Sequence, residues 1–126
     1  MLNKRIDMFT EQIIQEVWER ATIVKGYNET TIRKDSCGAW IIRSDYGNMN
    51  SIYGWEIDHI YPKEKGGKDD IDNLRALQWE NNRSKKDDYP VYSASVQAEG
   101  NRNEHKERQL SVNQLVQERL HELYGI

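Results

Sequence analysis

Cysteine is almost absent from this chain of 126 residues; Cys37 is the one residue of its type. A disulfide within the chain and a zinc site built on paired cysteines are therefore excluded. A single cysteine fits a reducing cytoplasm, which is the expected compartment. Long apolar runs are missing too. The longest are a few residues, such as Ala39-Trp40-Ile41-Ile42, whereas a membrane-spanning helix needs about 20. Residues Met1 to Asp7 hold no apolar stretch, so no secretory signal is expected. Nor does one sign of charge dominate. Lys and Arg number 18 against 21 Asp and Glu, a net charge of −3. That balance does not advertise a nucleic-acid binder. Repeats and low-complexity tracts are absent. With 37% hydrophobic and 31% charged residues, the chain suits one polar domain with a modest core.

What is present is patterned. From Asp7 to Ala21, Phe9, Ile13, Ile14, Val17, Trp18 and Ala21 recur at helical spacing, with Asp7 or Thr10 as the cap. Strands are expected near Ala39–Arg43 and Tyr53–Asp58, with Asp45 to Asn48 as a turn. Trp55 and Ile57 alternate with Glu56 and Asp58, the pattern of a half-buried strand. Pro62 to Asp72, with Gly66-Gly67, is a loop. Leu74–Leu77 forms a second strand, and Trp79 to Asp87 a short helix that ends before Tyr89-Pro90. Strand, loop, strand and helix make a ββα unit. Residues 89–110 show little periodicity and are expected to be a linker or arm. The segment 111–126 predicts an amphipathic helix. Ser111 with Gln114 forms a capping box, Leu110 with Leu115 a hydrophobic staple, and Gly125 the stop. Its stripe of Val112, Leu115, Val116, Leu120, Leu123 and Tyr124 either docks on the core or meets a partner.

Asp58, His59, Asn73 and Asn82 carry the chemistry. Hydrolysis of a phosphodiester needs a metal to neutralise charge and a base to deprotonate water, and histidine suits neutral pH. Asp58 offers an anionic oxygen, and Asn82 an amide oxygen from the first turn of the following helix. The hairpin folds that turn back toward the end of the first strand. Asn73 can brace the strand that carries His59. Asp58 and His59 are adjacent, and an ideal strand would point them to opposite faces. The strand must therefore end or twist there.

The segment Trp55-Glu56-Ile57-Asp58-His59-Ile60-Tyr61-Pro62, then Gly66-Gly67, Asp72-Asn73-Leu74-Arg75-Ala76-Leu77 and Asn81-Asn82-Arg83-Ser84-Lys85-Lys86, resembles the HNH endonucleases of the His-Me finger superfamily. The upstream Arg33 to Ile41 and Tyr46-Gly47 are similar to stand-alone bacterial HNH proteins. The resemblance implies an α+β fold, a ββα-metal core with an N-terminal helix in residues 1–88 and an amphipathic C-terminal helix. It implies a metal-dependent DNA endonuclease in which His59 is the general base, Asp58 and Asn82 hold Mg²⁺ or Mn²⁺, and Asn73 is the bracing middle residue. Lys85 or Lys86 would touch phosphate. Many HNH proteins carry two Cys-x-x-Cys pairs that bind structural zinc. Here none is expected, and Trp40, Trp55 and Trp79 are candidates to hold the hairpin by packing.

Arg83, Lys85 and Lys86 form a basic cluster on the metal-bearing helix, where a DNA backbone would lie. Arg33, Lys34 and Arg43 are candidates for a second patch. A net charge of −3 implies weak, salt-sensitive DNA affinity. A homodimer or a targeting protein, met through the last helix, would compensate. His105 and His121 are expected to be surface residues, and Cys37 a small buried one. Two other functions fit the same motif: a DNA-binding or interaction module of HNH shape without useful catalysis, and an RNA-cutting or toxin-type nuclease.

Overall fold

The computed structural model describes residues 9–126, so Asp7 as a cap lies outside the described residues. Helix α1 spans Glu11–Glu19. Thr10 caps it, its Oγ1 accepting the Ile13 N–H at 3.2 Å. Ile14, Val17 and Trp18 form its buried face. Three separate antiparallel hairpins follow. β1 (Ile32–Lys34) pairs with β2 (Trp40–Ile42). β3 (Trp55–His59) pairs with β4 (Leu74–Gln78), with Asp58 opposite Arg75 and His59 opposite Leu74. Helix α2 (Trp79–Lys85) continues directly from β4. The fold is α+β, and the expected ββα unit is its centre.

Both faces of the β3–β4 hairpin are covered, whereas the alternation in β3 predicts one wet face. Trp55, Ile57, Leu74 and Ala76 pack with Ile14, Val17 and Trp18 of α1. Leu77, on the opposite face of β4, packs with Cys37, Tyr92, Ala94 and Leu120. Asp58 is consequently only 5% exposed. Trp40 and Trp55 are buried. Trp79 is half-buried, its Nε1–H donating to the Ser51 carbonyl at 2.8 Å.

The linker expected over 89–110 is instead a long hairpin, β5 (Val91–Glu99) and β6 (Arg102–Ser111). A two-residue turn at Gly100-Asn101 joins them, with Gly100 at φ 63. Two features mask the pattern in the sequence. Of the ten residues of β6 only Asn103 is buried, so that strand has almost no apolar period. A register shift between Ala94 and Val96 breaks the period of β5.

The last helix, α3, spans Gln114–Tyr124. Asn113, not Ser111, caps it: its Oδ1 accepts the Val116 N–H at 2.9 Å. Ser111 is the last residue of β6, so the capping box and the staple do not form. Asn113 serves because its short side-chain oxygen reaches the same orphan donors from a residue outside the strand. Gly125, at φ 70, ends the helix as expected. Val112, Val116, Leu120 and Tyr124 dock on the core, while Leu115 is 66% exposed and Leu123 is 43% exposed. Among the described residues no helix is long and apolar enough to cross a membrane.

Buried polar side chains tie the hairpins together. Asn81, fully buried on α2, accepts the Ser95 and Val96 N–H groups at 2.8 Å each, at the irregularity of β5. Its Nδ2 donates to the Val96 carbonyl and to Asp35. Asp35 also accepts the N–H groups of Cys37, Ala39 and Gln78, each at 2.8 Å. Burial pushes its carboxyl up, and the donors from Gln78, Ala39, Asn81 and Cys37 pull it back. Asn103 accepts the Trp40 N–H at 2.7 Å and donates to the Trp40 and Ile52 carbonyls. Each buried donor or acceptor left without a partner costs about 1–3 kcal/mol. Asn81→Ala orphans several, so it should lower stability by about 3 kcal/mol or more in urea denaturation. A loss below about 1 kcal/mol would show that the network does not hold the hairpin to α2.

Candidate active site

A pocket of about 200 Å³ opens at the end of β3, lined by Asp58, His59 and Asn82 with Ile57, Pro62, Lys63, Glu64, Lys86 and Asp87. Asp58 and His59 reach one pocket because β3 ends at His59 and the chain turns away toward Pro62. Asn82 arrives from α2, whose start is fixed by Gln78. That side-chain oxygen accepts the N–H groups of Glu80 and Asn81 at 2.9 and 3.0 Å.

His59 Nε2 stands 2.7 Å from Asp69 Oδ1. An ionised carboxylate can only accept, so Nε2 is the donor in this bond. Phe9 packs beside the ring, centroids 6.0 Å apart. Asp69 belongs to the loop that Asn73 holds. Asn73 is fully buried. Its Oδ1 accepts the Tyr61 N–H at 2.7 Å, and its Nδ2 donates to the carbonyls of Tyr61 and Lys68 at 3.0 Å each. Gly67 is needed where the loop closes, since a Cβ there would lie 1.9 Å from the Tyr61 carbonyl oxygen.

Asp58 is held between two cations. Arg75 Nε donates to Oδ2 at 3.0 Å, and Lys85 Nζ lies 3.3 Å from Oδ1. Lys85 is fully buried and also donates to the His59 carbonyl at 3.2 Å. Burial pushes its ammonium below the ordinary lysine value, and the Asp58 carboxylate opposes that shift. Arg75 lies over the Tyr92 ring at 4.9 Å, and its buried Nη2 makes no hydrogen bond among the described residues.

The basic cluster is therefore divided. Lys85 does not face a DNA backbone: helix α2 turns it inward, one turn from Asn81, onto the carboxylate it neutralises. Arg83 is clamped by Glu56, at 2.6 and 3.1 Å, and the same carboxylate accepts from Asn82 Nδ2 at 2.9 Å. Lys86 lines the pocket as an exposed cation, and Lys63 belongs to the same lining. The second patch is structural too. Arg33 is buried and donates to the carbonyls of Glu29, Glu19 and Ala21. Lys34 and Arg43 lie over Trp40 and Trp55. His105 and His121 are surface residues as expected. His105 bonds Glu80 at 2.9 Å, which raises its pKa. Cys37 is buried, and burial pushes its thiol up to about 12, so it is not a nucleophile at neutral pH.

The donor set suits a hard cation. Asp58 keeps lone pairs beyond the two its cations use. Asn82 has its nitrogen on Glu56, and its oxygen accepts nothing among the described residues. Two oxygen ligands would leave most of an octahedral shell to water and phosphate, as Mg²⁺ or Mn²⁺ prefers. Among the described residues there is no cluster of three or more His, Cys, Asp or Glu that would make an all-protein cage. Sequence reasoning missed Asp69, Arg75 and Glu56. The one signal for Arg75 was its place between Leu74 and Ala76, an inward position on the second face of a strand.

Residues 37–88 match the family model described as HNH endonuclease. Neither the curated proteins nor the solved structures provide a match to the chain. The division of the lysines is testable in the folded protein. Removing one partner of a buried ion pair costs about 3–5 kcal/mol, against about 0.5 kcal/mol or less for an unpaired surface charge. Lys85→Ala should show the first value and Lys86→Ala the second in chemical denaturation. Equal, small losses would place Lys85 outside the interior.

Proposed function

We propose, from the match of residues 37–88 to the HNH endonuclease family model, that this chain is a divalent-metal-dependent endonuclease hydrolysing DNA phosphodiester bonds. The observation that carries the reading is the convergence of Asp58, His59 and Asn82 on one pocket. Asp58 and Asn82 would hold Mg²⁺ or Mn²⁺, which supplies electrophilic stabilisation of charge on the phosphate and the leaving oxygen. His59 is the general base. Its Nδ1 lone pair takes a proton from water as the water oxygen bonds to phosphorus. The bond from phosphorus to the leaving sugar oxygen breaks, and that oxygen takes a proton from solvent. Asn73 does not touch the reacting atoms. It holds the 61–73 loop, and with it Asp69, against the end of β3. Lys63 and Lys86 line the same pocket and would meet the phosphates.

A second reading, a DNA-binding module without useful catalysis, is favoured by one observation: Asp58 already has two cationic partners. The purified chain incubated with supercoiled plasmid and with RNA, in Mg²⁺ or EDTA, separates the readings and the substrates. Cleavage of plasmid in Mg²⁺ or Mn²⁺, little in Zn²⁺ and none in EDTA is expected. Binding without cleavage in every metal would leave the second reading, and cleavage of RNA alone would change the substrate. General-base catalysis is worth about 10²–10⁴ in rate. His59→Ala should lose that much, and Asp58→Ala and Asn82→Ala should be inactive; a His59→Ala rate within about twofold of wild type would remove His59 as the base. Each phosphate contact adds about 0.9 to the log–log salt slope of duplex binding. Lys63→Ala with Lys86→Ala should flatten that slope, and an unchanged slope would rule out both as phosphate contacts.

A further inference from the structure

The loop that Asn73 pins delivers one carboxylate to the base. Asp69 Oδ1 lies 2.7 Å from His59 Nε2, while the His59 side chain is 9% exposed and that of Asp69 is 59% exposed. A ring so enclosed has few orientations, and the carboxylate selects among them. We propose that Asp69 is the positioning residue of the base, and the inference rests on the assignment of His59 above. Asp69 acts through His59 in two ways. It holds the hydrogen on Nε2, so that Nδ1 keeps the lone pair that accepts the water proton. Its negative charge also stabilises the imidazolium that exists once the proton has moved from water to Nδ1. The proton stays on His59 until solvent removes it; Asp69 takes none.

The loop geometry argues that this contact is built. Gly67 permits the close approach to the Tyr61 carbonyl, and Asn73 bonds the Lys68 carbonyl immediately before Asp69. On the other side, Tyr124 of α3 donates its O–H to Asp70 Oδ2 at 2.7 Å and accepts the Lys68 N–H at 3.1 Å. Asp69 is thus held by its backbone neighbours, independently of its own side chain. Replacing that side chain leaves the loop anchored, so its effect on rate can be separated from an effect on folding.

The test measures plasmid nicking by Asp69→Ala, Asp69→Asn and His59→Ala in Mg²⁺, together with the imidazole N–H proton resonances. The kcat of both Asp69 variants should fall roughly ten- to a hundredfold, as for a misplaced catalytic group. KM for the plasmid should not rise, and the melting temperature should stay near wild type. Asn keeps the shape and loses the charge, so it should not restore the rate. The His59 Nε2–H proton, identified by its absence in His59→Ala, should be shifted downfield in wild type and lose that shift in Asp69→Ala. An Asp69→Ala kcat within about twofold of wild type, beside an inactive His59→Ala, would overturn the proposal and leave the base assignment standing. An unchanged Nε2–H resonance in Asp69→Ala would overturn it whatever the rates. An active His59→Ala would remove the base assignment itself.

Discussion

One carboxylate between two cations, all three withdrawn from water, organises this molecule. Asp58 belongs to β3, Arg75 to β4 and Lys85 to α2, so the cluster crosses every element of the ββα unit. Tyr92 of β5 covers it from the other side. Burying an ammonium alone costs several kcal/mol, which only a well-placed anion offsets. Lys85 therefore fixes how α2 sits against β3. That same placement sets Asn82 beside Asp58, because the two side chains leave one short helix three residues apart. The fold constraint and the site geometry are one constraint.

The cysteine pairs that bind zinc in many HNH proteins have no counterpart here. Neutral and anionic side chains bonded to backbone tie the elements together. Asp35 gathers the β1–β2 turn, the end of β4 and Asn81 of α2. Asn81 passes the connection to β5, and Asn103 returns it from β6 to β2. Cys37 sits within this network as a buried thiol. Such hydrogen bonds contribute only about 1 kcal/mol each when made, yet a buried orphan costs more than that when one is broken. The network thus specifies the arrangement more strongly than it stabilises it, and apolar packing of Trp18, Trp55 and Leu77 supplies the bulk of the burial.

The ββα unit was legible because its signals are local. Period two in Trp55 and Ile57, a glycine loop, and a helix stopped before Tyr89-Pro90 each lie within a few residues. The residues that meet at the pocket were legible for the same reason, since the motif names them in order. What escaped depends on partners distant in sequence. Lys85 looks like a solvated cation until Asp58 is placed beside it, and Arg33 looks the same until three carbonyls surround it. The β5–β6 hairpin escaped because one strand is edge-like and charged and the other is interrupted where Asn81 enters. The cap of α3 shifted from Ser111 to Asn113 because Ser111 is claimed by β6, a pairing invisible without the hairpin.

The internal use of cations also shapes any encounter with DNA. The chain carries three more acidic than basic residues, and its arginines are heavily committed: Arg20 to Asp72, Arg33 to carbonyls, Arg75 to Asp58, Arg83 to Glu56. Lys63 and Lys86 line the pocket together with Glu64 and Asp87. Two phosphate contacts correspond to a log–log salt slope of about 1.8, so a fourfold rise in salt would weaken binding only about tenfold. On the proposed reading, a tight complex then depends on what forms at the pocket itself. There Asp58 and Asn82 would hold the cation and leave the rest of its shell to water and phosphate oxygen. Phosphate and divalent cation would each improve the site for the other. Selectivity would accordingly reside in the geometry at the end of β3 more than in the field of the whole protein.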